Sequence, residues 1–414
     1  MTLLIPSVAL VGTLDTKGAE YQWVATRLRE LGVDAVVVDA GIHPPAGFTG
    51  TISVVQEAVA RAAGTTIQAL RDGGDRGVAV TAMGEGAAAV LAGLAAEGRL
   101  DGVLALGGSG GSSIAARAVR DLPVGLPKLI VSTMASGDVS PYVGASDVTM
   151  MYSVVDISGI NRVSRTVLGN AAAAIAGMAT ARSGTAAGEA ERPLVAASMF
   201  GVTTPAVDAA RTRLEELGYE VLVFHATGSG GRALEALARS GMLAGVLDLT
   251  TTELADDLVG GVLSAGPTRL TAAGGAGVPQ VVGLGALDMV NFGPEETVPA
   301  EFAGRTFFVH NPTVTLMRTT AAESAELGHR LGAKLAAATG PTVLVVPRGG
   351  VSALDAEGGP FHDPEADTAL FTAALDAVAG SDVTVLDSPR HINDAALATE
   401  TADRLHALIT GKGG

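Results

Sequence analysis

The chain has 414 residues, of which 48% are hydrophobic and only 3% aromatic, and it contains 55 glycines. This composition predicts a globular α/β protein of two or three domains with a core of Ala, Val and Leu. The formal net charge of −16 argues against nucleic acid as a partner, and the absence of cysteine excludes disulfides, thiolate nucleophiles and Cys-ligated metals.

The first 182 residues alternate short β-branched runs with amphipathic stretches, which is typical of parallel strands connected by helices. The predicted strands are SVALV, DAVVVD, GVAVT, DGVLAL and KLIVST, and the predicted helices cover residues 19–31, 54–70, 87–97, 113–121 and 160–182. The stretch RSGTAAGEAERP has the composition of a linker. We therefore predict an N-terminal domain at 1–184, a linker at 185–193 and a C-terminal domain at 194–414.

The same rhythm restarts after the linker, with predicted strands LVAASM, EVLVFH, GVLDL, QVVGL, TFFVH, TVLVV and VTVLD alternating with helices. Three segment pairs repeat in the same order; for example, RLRELGVDAVVVDA at 27–40 corresponds to RLEELGYEVLVFHA at 213–226. The sequence thus predicts two doubly wound, Rossmann-like parallel-sheet domains that are related by internal duplication and face a cleft.

Metal and membrane sites are not expected. Seven scattered histidines without an HExxH motif do not favour a transition-metal site, so the expected metal is only a Mg²⁺ carried by a nucleotide. We expect no apolar run to span a bilayer, and the stretch MTLLIPSVALVGTLDTKG lacks a basic n-region and a cleavage site. A cytoplasmic protein without a membrane partner is the expectation.

Glycine-rich loops follow the predicted strands of the first domain, at the sheet edge where open parallel sheets bind ligands. Helix N-termini beyond such loops present free N–H groups and a partial positive charge, so a phosphate is a suitable ligand. GGSGGSS lacks the third glycine of GxGxxG and the GK[ST] ending of a P-loop, and close packing of strand and helix would also explain its glycines. The loops are GTLDTKG (12–18), TAMGEG (81–86), GGSGGSS (107–113) and STMASGD (132–138).

Several charged residues near these loops have both a functional and a structural interpretation. Asp15 is either the N-cap of the following helix or a carboxylate associated with magnesium, and Lys17 supplies a charge for a phosphate. Asp39 ends the second predicted strand, where a dinucleotide fold places its ribose-binding acid, but a turn-capping role fits as well. Arg162 and Arg165 either reach bound phosphates or face solvent or a dimer partner.

Long motifs in both halves resemble those of a known family. GTLDTKGAE, LGGSGGSS and VSTMASGD, together with FHATGSGGRALE, GALDMVNFG and HNPTVTLMRTT, are similar to the two-domain ATP-binding family typified by the plant tomato mosaic virus resistance inhibitor. The resemblance covers nearly the whole chain and implies an N-terminal ATP-binding domain and a homodimer. The cofactor-binding residues that it implies are Gly12, Thr13, Asp15, Thr16, Lys17, Gly84, Gly86, Gly107, Gly108, Ser109, Gly110, Gly111, Ser112, Ser132, Met134, Ala135 and Ser136.

The second domain carries polar residues near predicted strand ends that packing does not require. His, Asp and Glu in one cleft can act as general acid and base, and an arginine can hold a carboxylate or phosphate. Each residue alone also fits a structural role, such as a hydrogen-bonded histidine or an aspartate that caps a turn. GGVSALD (349–355) and FHDPEAD (361–367) form a further polar loop pair, of which FHDPEAD is interpreted mainly as a helix entry. The candidate catalytic residues are His225, Asp248, Glu253, Asp288, His310 and Arg318.

The expected function is an ATP-binding protein of small-molecule metabolism that acts on a small anionic substrate at the interdomain cleft. Two alternatives stay open: a nucleotide-sensing regulatory homodimer without catalysis, and an ATP-independent enzyme that uses the His/Asp/Glu cluster of the second domain. The sequence names neither the substrate nor the fate of ATP.

Overall fold

The computed structural model describes residues 5–184 and 192–411, and its contacts divide the chain into two compact units, residues 1–190 and 191–414. Most of the predicted linker, residues 185–191, lies outside the described residues.

A five-stranded parallel sheet forms the centre of the N-terminal domain. Its strands are β1 (Ser7–Gly12), β2 (Asp34–Asp39), β3 (Gly102–Gly107), β4 (Lys128–Ser132) and β5 (Val148–Tyr152). They pair in the order β2-β1-β3-β4-β5. The short runs of β-branched and aliphatic residues suit a sheet that is buried on both faces.

Helices cover both faces of this sheet. In the described part of the domain they are α1 (Leu14–Glu30), α2 (Gln56–Ala62), α3 (Ile67–Gly73), α4 (Arg76–Ala96), α5 (Ser109–Val119), α6 (Ser140–Val143) and α7 (Arg162–Gly184). Helices α1 and α7 contribute to one apolar core, whereas α2 to α5 contribute to the other. Helices α1 and α5 begin earlier than predicted, so both start inside the glycine-rich loops.

The predicted strand GVAVT is wrong, because this segment lies inside α4. The Asp75 side chain accepts hydrogen bonds from the backbone N–H groups of Gly77 and Val78 and caps the start of that helix. A short apolar run cannot be distinguished from a buried helix segment by its periodicity. The fifth strand is instead β5, which was not predicted.

Helix α4 is the one helix in the described ranges that is long and apolar enough to cross a membrane by length and composition. The expectation that no apolar run reaches that length is therefore wrong. In the structure α4 packs into its own domain, where Met83, Ala87 and Leu91 are buried. The cytoplasmic location stays a prediction.

The C-terminal domain contains a larger parallel sheet and a small antiparallel one. Its strands are β6 (Leu194–Met199), β7 (Glu220–His225), β8 (Leu243–Thr250), β9 (Gln280–Gly285), β10 (Met289–Phe292), β11 (Phe307–Asn311), β12 (Val314–Arg318), β13 (Thr342–Pro347) and β14 (Thr384–Ser388). Its helices are α8 (Thr204–Glu216), α9 (Ser229–Arg239), α10 (Glu253–Val259), α11 (Ala272–Gly275), α12 (Ala321–Ala336), α13 (Pro364–Val378) and α14 (Ala395–Thr410).

The parallel sheet has the order β14-β13-β9-β8-β6-β7, and the antiparallel sheet has the order β10-β12-β11. The predicted strand TFFVH thus pairs antiparallel in the small sheet and is not part of the parallel one. Without β14, the parallel strands of both domains have the same order: second, first, third, fourth, fifth. The prediction of two Rossmann-like parallel-sheet domains is confirmed, and this shared order is what an internal duplication would produce.

Candidate functional site

A cavity of about 710 Å³ opens at the C-terminal ends of β1, β2 and β3 in the N-terminal domain. This is the sheet edge at which ligands of doubly wound folds bind, and the volume falls in the usual range of small-molecule pockets. The first turns of α1 and α5 form its polar wall, while residues of α3 and α4 form another wall.

Helix α5 begins at this cavity. Gly108 is its N-cap, and the stretch 107–111 lines the cavity. The first intrahelical bond to the N-cap is donated by Ser112 to the Gly108 carbonyl. Within the described residues, the backbone N–H groups of Ser109, Gly110 and Gly111 therefore have no hydrogen-bond partner. Unpaired donors at a helix N-terminus are the kind of group to which anions bind.

The glycines of this stretch have two different roles. A Cβ on Gly107 would lie 2.8 Å from the Gly111 Cα, so strand and helix can approach this closely only because Gly107 has no side chain. By contrast, a Cβ on Gly108 or Gly110 would meet only side-chain atoms, at 3.6 and 3.3 Å. The packing explanation of GGSGGSS therefore applies to Gly107, whereas the surroundings of Gly108 and Gly110 leave room beside the first turn of α5, so the phosphate explanation stays a prediction.

Three basic side chains line the cavity. The Arg76 guanidinium lies near the first turn of α5, where it is the nearest group to a Cβ built on Gly110. Lys17 donates a hydrogen bond to the Ile157 carbonyl, and Arg71 donates one to the Ile42 carbonyl. Within the described part of the chain, Arg76 makes neither a hydrogen bond nor an ion pair. Its charge is therefore available to an anionic ligand.

Asp15 lines the cavity, but it does not cap α1. Its Oδ2 atom accepts hydrogen bonds from the backbone N–H groups of Ile42 and His43 at 3.2 and 3.0 Å, so it fixes the loop that follows β2. Its Oδ1 atom is buried without a hydrogen-bond partner. The hydroxyls of Thr13 and Thr16 lie 2.7 Å apart beside it. The first turn of α1 thus offers one free carboxylate oxygen and two hydroxyls.

Asp39 is buried under this loop and does not line the cavity. Its Oδ1 atom accepts hydrogen bonds from the backbone N–H groups of Leu14 and Gly41, at 3.2 and 2.9 Å. Burial raises the pKa of Asp39, and the nearby Asp15 carboxylate raises it further. These contacts favour the structural interpretation of Asp39 over the ribose-binding one.

The structure does not bring all the predicted cofactor-binding residues to the cavity. Gly84 and Gly86 lie within α4, and Gly86 packs so closely that a Cβ would be 2.0 Å from the Val59 carbonyl oxygen. The hydroxyls of Ser112 and Ser132 are buried and hydrogen-bonded to each other at 2.6 Å. The remaining predicted residues that do not line the cavity are Gly12, which packs under the Tyr21 ring, and Met134, Ala135 and Ser136. For Gly12, Gly86, Ser112 and Ser132 the reason is that glycine and serine also serve close packing.

In the C-terminal domain, two candidate catalytic residues belong to a buried ion-pair network. The fully buried Arg269 donates to both Asp248 oxygens, at 2.5 and 2.7 Å, and to the Glu253 Oε2 atom at 2.6 Å. Glu235 lies 3.4 Å from the same guanidinium. Ser198 donates a further hydrogen bond to Asp248. These side chains are fully engaged in holding the domain together.

Glu253 also occupies the start of α9. Its Oε1 atom accepts hydrogen bonds from the backbone N–H groups of Gly228 and Gly231, at 2.6 and 3.0 Å. A Cβ on Gly231 would lie 2.0 Å from the Glu253 carboxylate. The glycine-rich loop TGSGG of the second domain is thus closed around the chain's own carboxylate.

Asp288 and Arg318 belong to a separate cluster with Asp355 and Asp367. Arg318 lies 2.5 Å from an oxygen of Asp367 and 3.5 Å from one of Asp355. Burial raises the pKa values of Asp288 and Asp355 to about 6 and that of Asp367 to about 7, and the Asp288 charge adds to the effect on Asp355. These carboxyl groups therefore titrate near neutral pH.

The two candidate histidines are exposed. His225 ends β7 and stacks on the Phe200 ring, with 5.4 Å between ring centroids. His310 lies in the edge strand β11 of the small sheet. The six candidate catalytic residues therefore separate into an ion-pair network, an acidic cluster and two surface histidines.

Comparison with known proteins settles the family. Residues 6–184 and 192–409 match the N-terminal and C-terminal domains of UPF0261, an uncharacterised protein family. The chain belongs to the UPF0261 family. It is 50% identical to a UPF0261 protein of Clostridium tetani over 96% of this chain and 98% of that one.

Plant relatives confirm the predicted kinship with the tomato proteins, whereas ATP binding by this UPF0261 protein stays a prediction. The ToMV resistance protein Tm-1(GCR237) of Solanum lycopersicum is 47% identical over 79% of this chain and 44% of its own length. The ToMV susceptible protein tm-1(GCR26) of the same plant is 42% identical over 96% of this chain and 55% of its own length.

Two solved structures are distantly similar to this UPF0261 protein. A UDP-N-acetylglucosamine 2-epimerase from Rickettsia bellii is 11% identical over 66% of this chain and 78% of its own, with a TM-score of 0.19. A Streptomyces glycosyltransferase, SsfS6, complexed with thymidine diphosphate, is 15% identical over 95% of this chain and 99% of its own, with a TM-score of 0.20.

Sequence reasoning missed one wall of the cavity in this UPF0261 protein. That wall comes from α3, α4 and the loop after β2, and it supplies two arginines and most of the apolar surface. The cap GGDRG between α3 and α4 was a usable signal, since an N-cap aspartate marks a helix start. The missed residues are Ala40, Gly41, Ile42, His43, Leu70, Arg71, Gly74, Asp75, Arg76, Ala79, Val80, Met83, Ile114 and Asp156.

Proposed function

We propose that the N-terminal domain binds ATP, with its phosphates at the start of α5. The observation that carries the proposal is the set of three unpaired N–H groups at Ser109, Gly110 and Gly111, beside the unpaired charge of Arg76. Backbone donors and a helix dipole bind phosphate oxygens without needing a positively charged protein. The net charge of −16 is therefore compatible with an anionic ligand.

The remaining walls of the cavity suit the rest of a nucleotide. Leu70, Val80, Met83 and Ile114 provide an apolar surface on which a base could pack. The resemblance of the glycine-rich loops to an ATP-binding family favours ATP over other phosphate ligands. The structure alone supports the broader class, a nucleoside phosphate.

Asp15 is a suitable protein ligand for magnesium that arrives with the nucleotide, although the carboxylates of Asp75 and Asp156 also line the cavity. Asp15 retains a buried oxygen without a hydrogen-bond partner, and carboxylate oxygen is the donor that Mg²⁺ prefers. Bound with ATP, Mg²⁺ would neutralise charge on the phosphate oxygens. Asp15 itself holds the loop that follows β2, so it would couple the position of that loop to the bound nucleotide.

Two roles for the proposed ATP-binding protein differ in whether ATP is turned over. The first is an enzyme of small-molecule metabolism that acts on a small anionic substrate, and the second is a regulatory homodimer that binds ATP without turning it over. ATP hydrolysis or phosphoryl transfer that depends on an added metabolite would support the enzyme. Saturable binding without turnover, together with a change in the dimer, would support the regulator.

Calorimetric titration of Mg-ATP into the purified protein tests the binding proposal, with a Gly110→Ala variant as the probe. The new methyl group meets only side-chain atoms, the end of Arg76 at 3.3 Å and Val80 at 3.8 Å, so the fold should persist while the methyl enters the phosphate site. Gly93→Ala is the matched control, because a Cβ on Gly93 in the same domain meets nothing within 4 Å.

We expect saturable binding by the wild type and by Gly93→Ala, and affinity at least tenfold weaker in Gly110→Ala, since displacing a phosphate from its donors removes about 1.5 kcal/mol or more. Absence of binding by the wild type would refute the ATP proposal. Equal affinity for Mg-ATP in all three proteins would show that the phosphates do not bind at the start of α5.

A further inference from the structure

Three potential metal ligands lie together in the C-terminal domain, outside the proposed ATP site. Asp355 is in the loop after β13, while His362 and Asp367 flank the start of α13. One ligand atom from each residue lies within 4.8 Å of those of the other two. Ligands at about 2.0–2.2 Å from one ion are separated by up to about 4.4 Å, so small side-chain adjustments would bring all three into coordination.

A buried carboxylate beside these residues has one oxygen without a hydrogen-bond partner. Asp288 is fully buried; its Oδ2 atom accepts a hydrogen bond from Ser352 at 2.7 Å, and its Oδ1 atom has no hydrogen-bond partner. The charged groups that act most strongly on Asp288 are Arg318 and Asp367, and Asp288 in turn acts on Asp355. A buried carboxylate oxygen without a donor is costly, which indicates that a positively charged partner belongs near it.

The charge of the cluster leads to the same conclusion. Asp288, Asp355 and Asp367 carry three negative charges when ionised, and the one arginine that contacts the cluster, Arg318, carries one positive charge. Arg318 is fixed by further hydrogen bonds to the Phe361 carbonyl and the Thr319 hydroxyl. The ionised cluster therefore has a net charge of −2, which a divalent cation would balance.

We propose that Asp355, His362 and Asp367 bind a divalent transition-metal ion of the Mn²⁺ or Zn²⁺ class, with Asp288 as the buried counter-charge. The imidazole nitrogen favours these ions over Mg²⁺ and Ca²⁺, which prefer oxygen ligands alone. The sequence predicts no such site, because His362 and Asp367 belong to FHDPEAD, which is interpreted mainly as a helix entry, and Asp355 belongs to the polar loop GGVSALD.

The arrangement resembles an open metal site more than a closed structural one. Three protein ligands leave at least one coordination position, and His362 is exposed, so water or a small substrate can reach the ion from that side. A metal here would polarise a carbonyl or phosphoryl oxygen or lower the pKa of a bound water.

Metal titration of the full-length protein tests the proposal. The protein is treated with EDTA, dialysed and titrated by calorimetry with ZnCl₂ and, separately, with MnCl₂. His362→Ala is the test variant, because this exposed side chain makes no hydrogen bond or ion pair within the described residues, and its removal should leave the fold intact. His310→Ala is the control for unspecific metal binding by a surface histidine of the same domain.

We expect one site per chain in the wild type and in His310→Ala, and an affinity at least tenfold weaker in His362→Ala, since even residues that only orient a metal ligand cost tenfold or more. Asp288→Asn should weaken binding without removing a ligand. Failure of the wild type to bind either ion, or equal affinity in His362→Ala, would overturn the proposal. Neither result depends on ATP, so this test is independent of the proposed nucleotide site.

Discussion

The guanidinium of Arg76 lies so near Gly110 that a Cβ on this glycine would be 3.3 Å from Nη2. Arg76 is the first residue of α4, and Gly110 is in the first turn of α5. The two helix N-termini thus bring a free guanidinium and free backbone donors to the same side of the cavity. Such a pair is suited to a ligand with several phosphate oxygens.

Arg76→Ala is therefore expected to weaken the binding of Mg-ATP about tenfold or more, because it removes a charge-assisted contact worth about 1.5–3 kcal/mol. AMP should be affected less than ATP, since it carries fewer phosphate groups. Parallel calorimetric titrations with both nucleotides measure the difference. Arg99→Ala removes an exposed arginine of the same domain that pairs with Glu97, and it should bind like the wild type. An unchanged affinity of Arg76→Ala for Mg-ATP would show that Arg76 does not contact the phosphates.

Gly86→Ala is expected to destabilise the N-terminal domain by about 1–3 kcal/mol, because the new methyl group would overlap the Val59 carbonyl oxygen at 2.0 Å. Gly93→Ala in the same helix meets open space and should stabilise by up to about 1 kcal/mol through helix propensity. Urea unfolding of both variants measures the free energies. The opposite order of stability would contradict a continuous helix from Arg76 to Ala96.

Arg269→Met is expected to cost about 3–5 kcal/mol of stability, because it leaves the buried carboxylates of Asp248 and Glu253 without their cation. Arg404→Met removes an exposed arginine paired with Glu400 at 3.4 Å and should cost less than about 1 kcal/mol. Chemical denaturation at pH 7 compares the two. Similar losses in both variants would show that the Arg269 network contributes little.

Asp256 makes stability depend on pH. It is buried in α10, accepts two hydrogen bonds from Asn291 at 2.8 and 2.7 Å, and burial raises its pKa from 3.8 to about 7. The folded state therefore holds the proton more tightly than the unfolded state, so the contribution of Asp256 to stability is present below about pH 4 and is lost as the pH rises through 7.

Asp256→Asn removes this titration. The difference in unfolding free energy between wild type and variant should shift, by at most about 4 kcal/mol, in favour of the variant between pH 4 and pH 7. Denaturant unfolding at several pH values measures it. Other acidic residues titrate in both proteins, so their effects cancel in the difference. Parallel plots of unfolding free energy against pH for the two proteins would mean that Asp256 is ionised throughout this pH range.

Much of the parallel-sheet architecture was predictable because buried strands are short β-branched runs followed by glycine or small polar residues. SVALV, DAVVVD and DGVLAL satisfy that rule and form β1, β2 and β3. GVAVT satisfies the same rule, but Asp75 caps the start of α4 just before it. Because of this cap, GVAVT forms part of a helix and not a strand. The antiparallel pairing of TFFVH depends on contacts with distant residues and has no local signal.

The polar half of the cavity was predictable for the same reason, since the first turns of α1 and α5 follow strands directly. Arg71 and Arg76 were not, because GGDRG marks the start of α4 but no local signal indicates that α3 and α4 return to this edge of the sheet. Asp248 and Glu253 illustrate the opposite problem. Their partner Arg269 is at least 16 residues away, so a structural ion pair resembled free catalytic groups in the sequence.

The carboxylate of Glu253, bound to the amides of Gly228 and Gly231, makes the two parallel-sheet domains unequal at their glycine-rich loops. At α5 the amides are open to any phosphate in solution, whereas at α9 an added phosphate must compete with an anion tethered to the same chain. Tethering gives that anion a high effective concentration at every ligand concentration. If a duplication began with two equivalent anion sites, the site at α5 would remain available to an external ligand. The site at α9 would be permanently occupied by the chain's own Glu253 carboxylate.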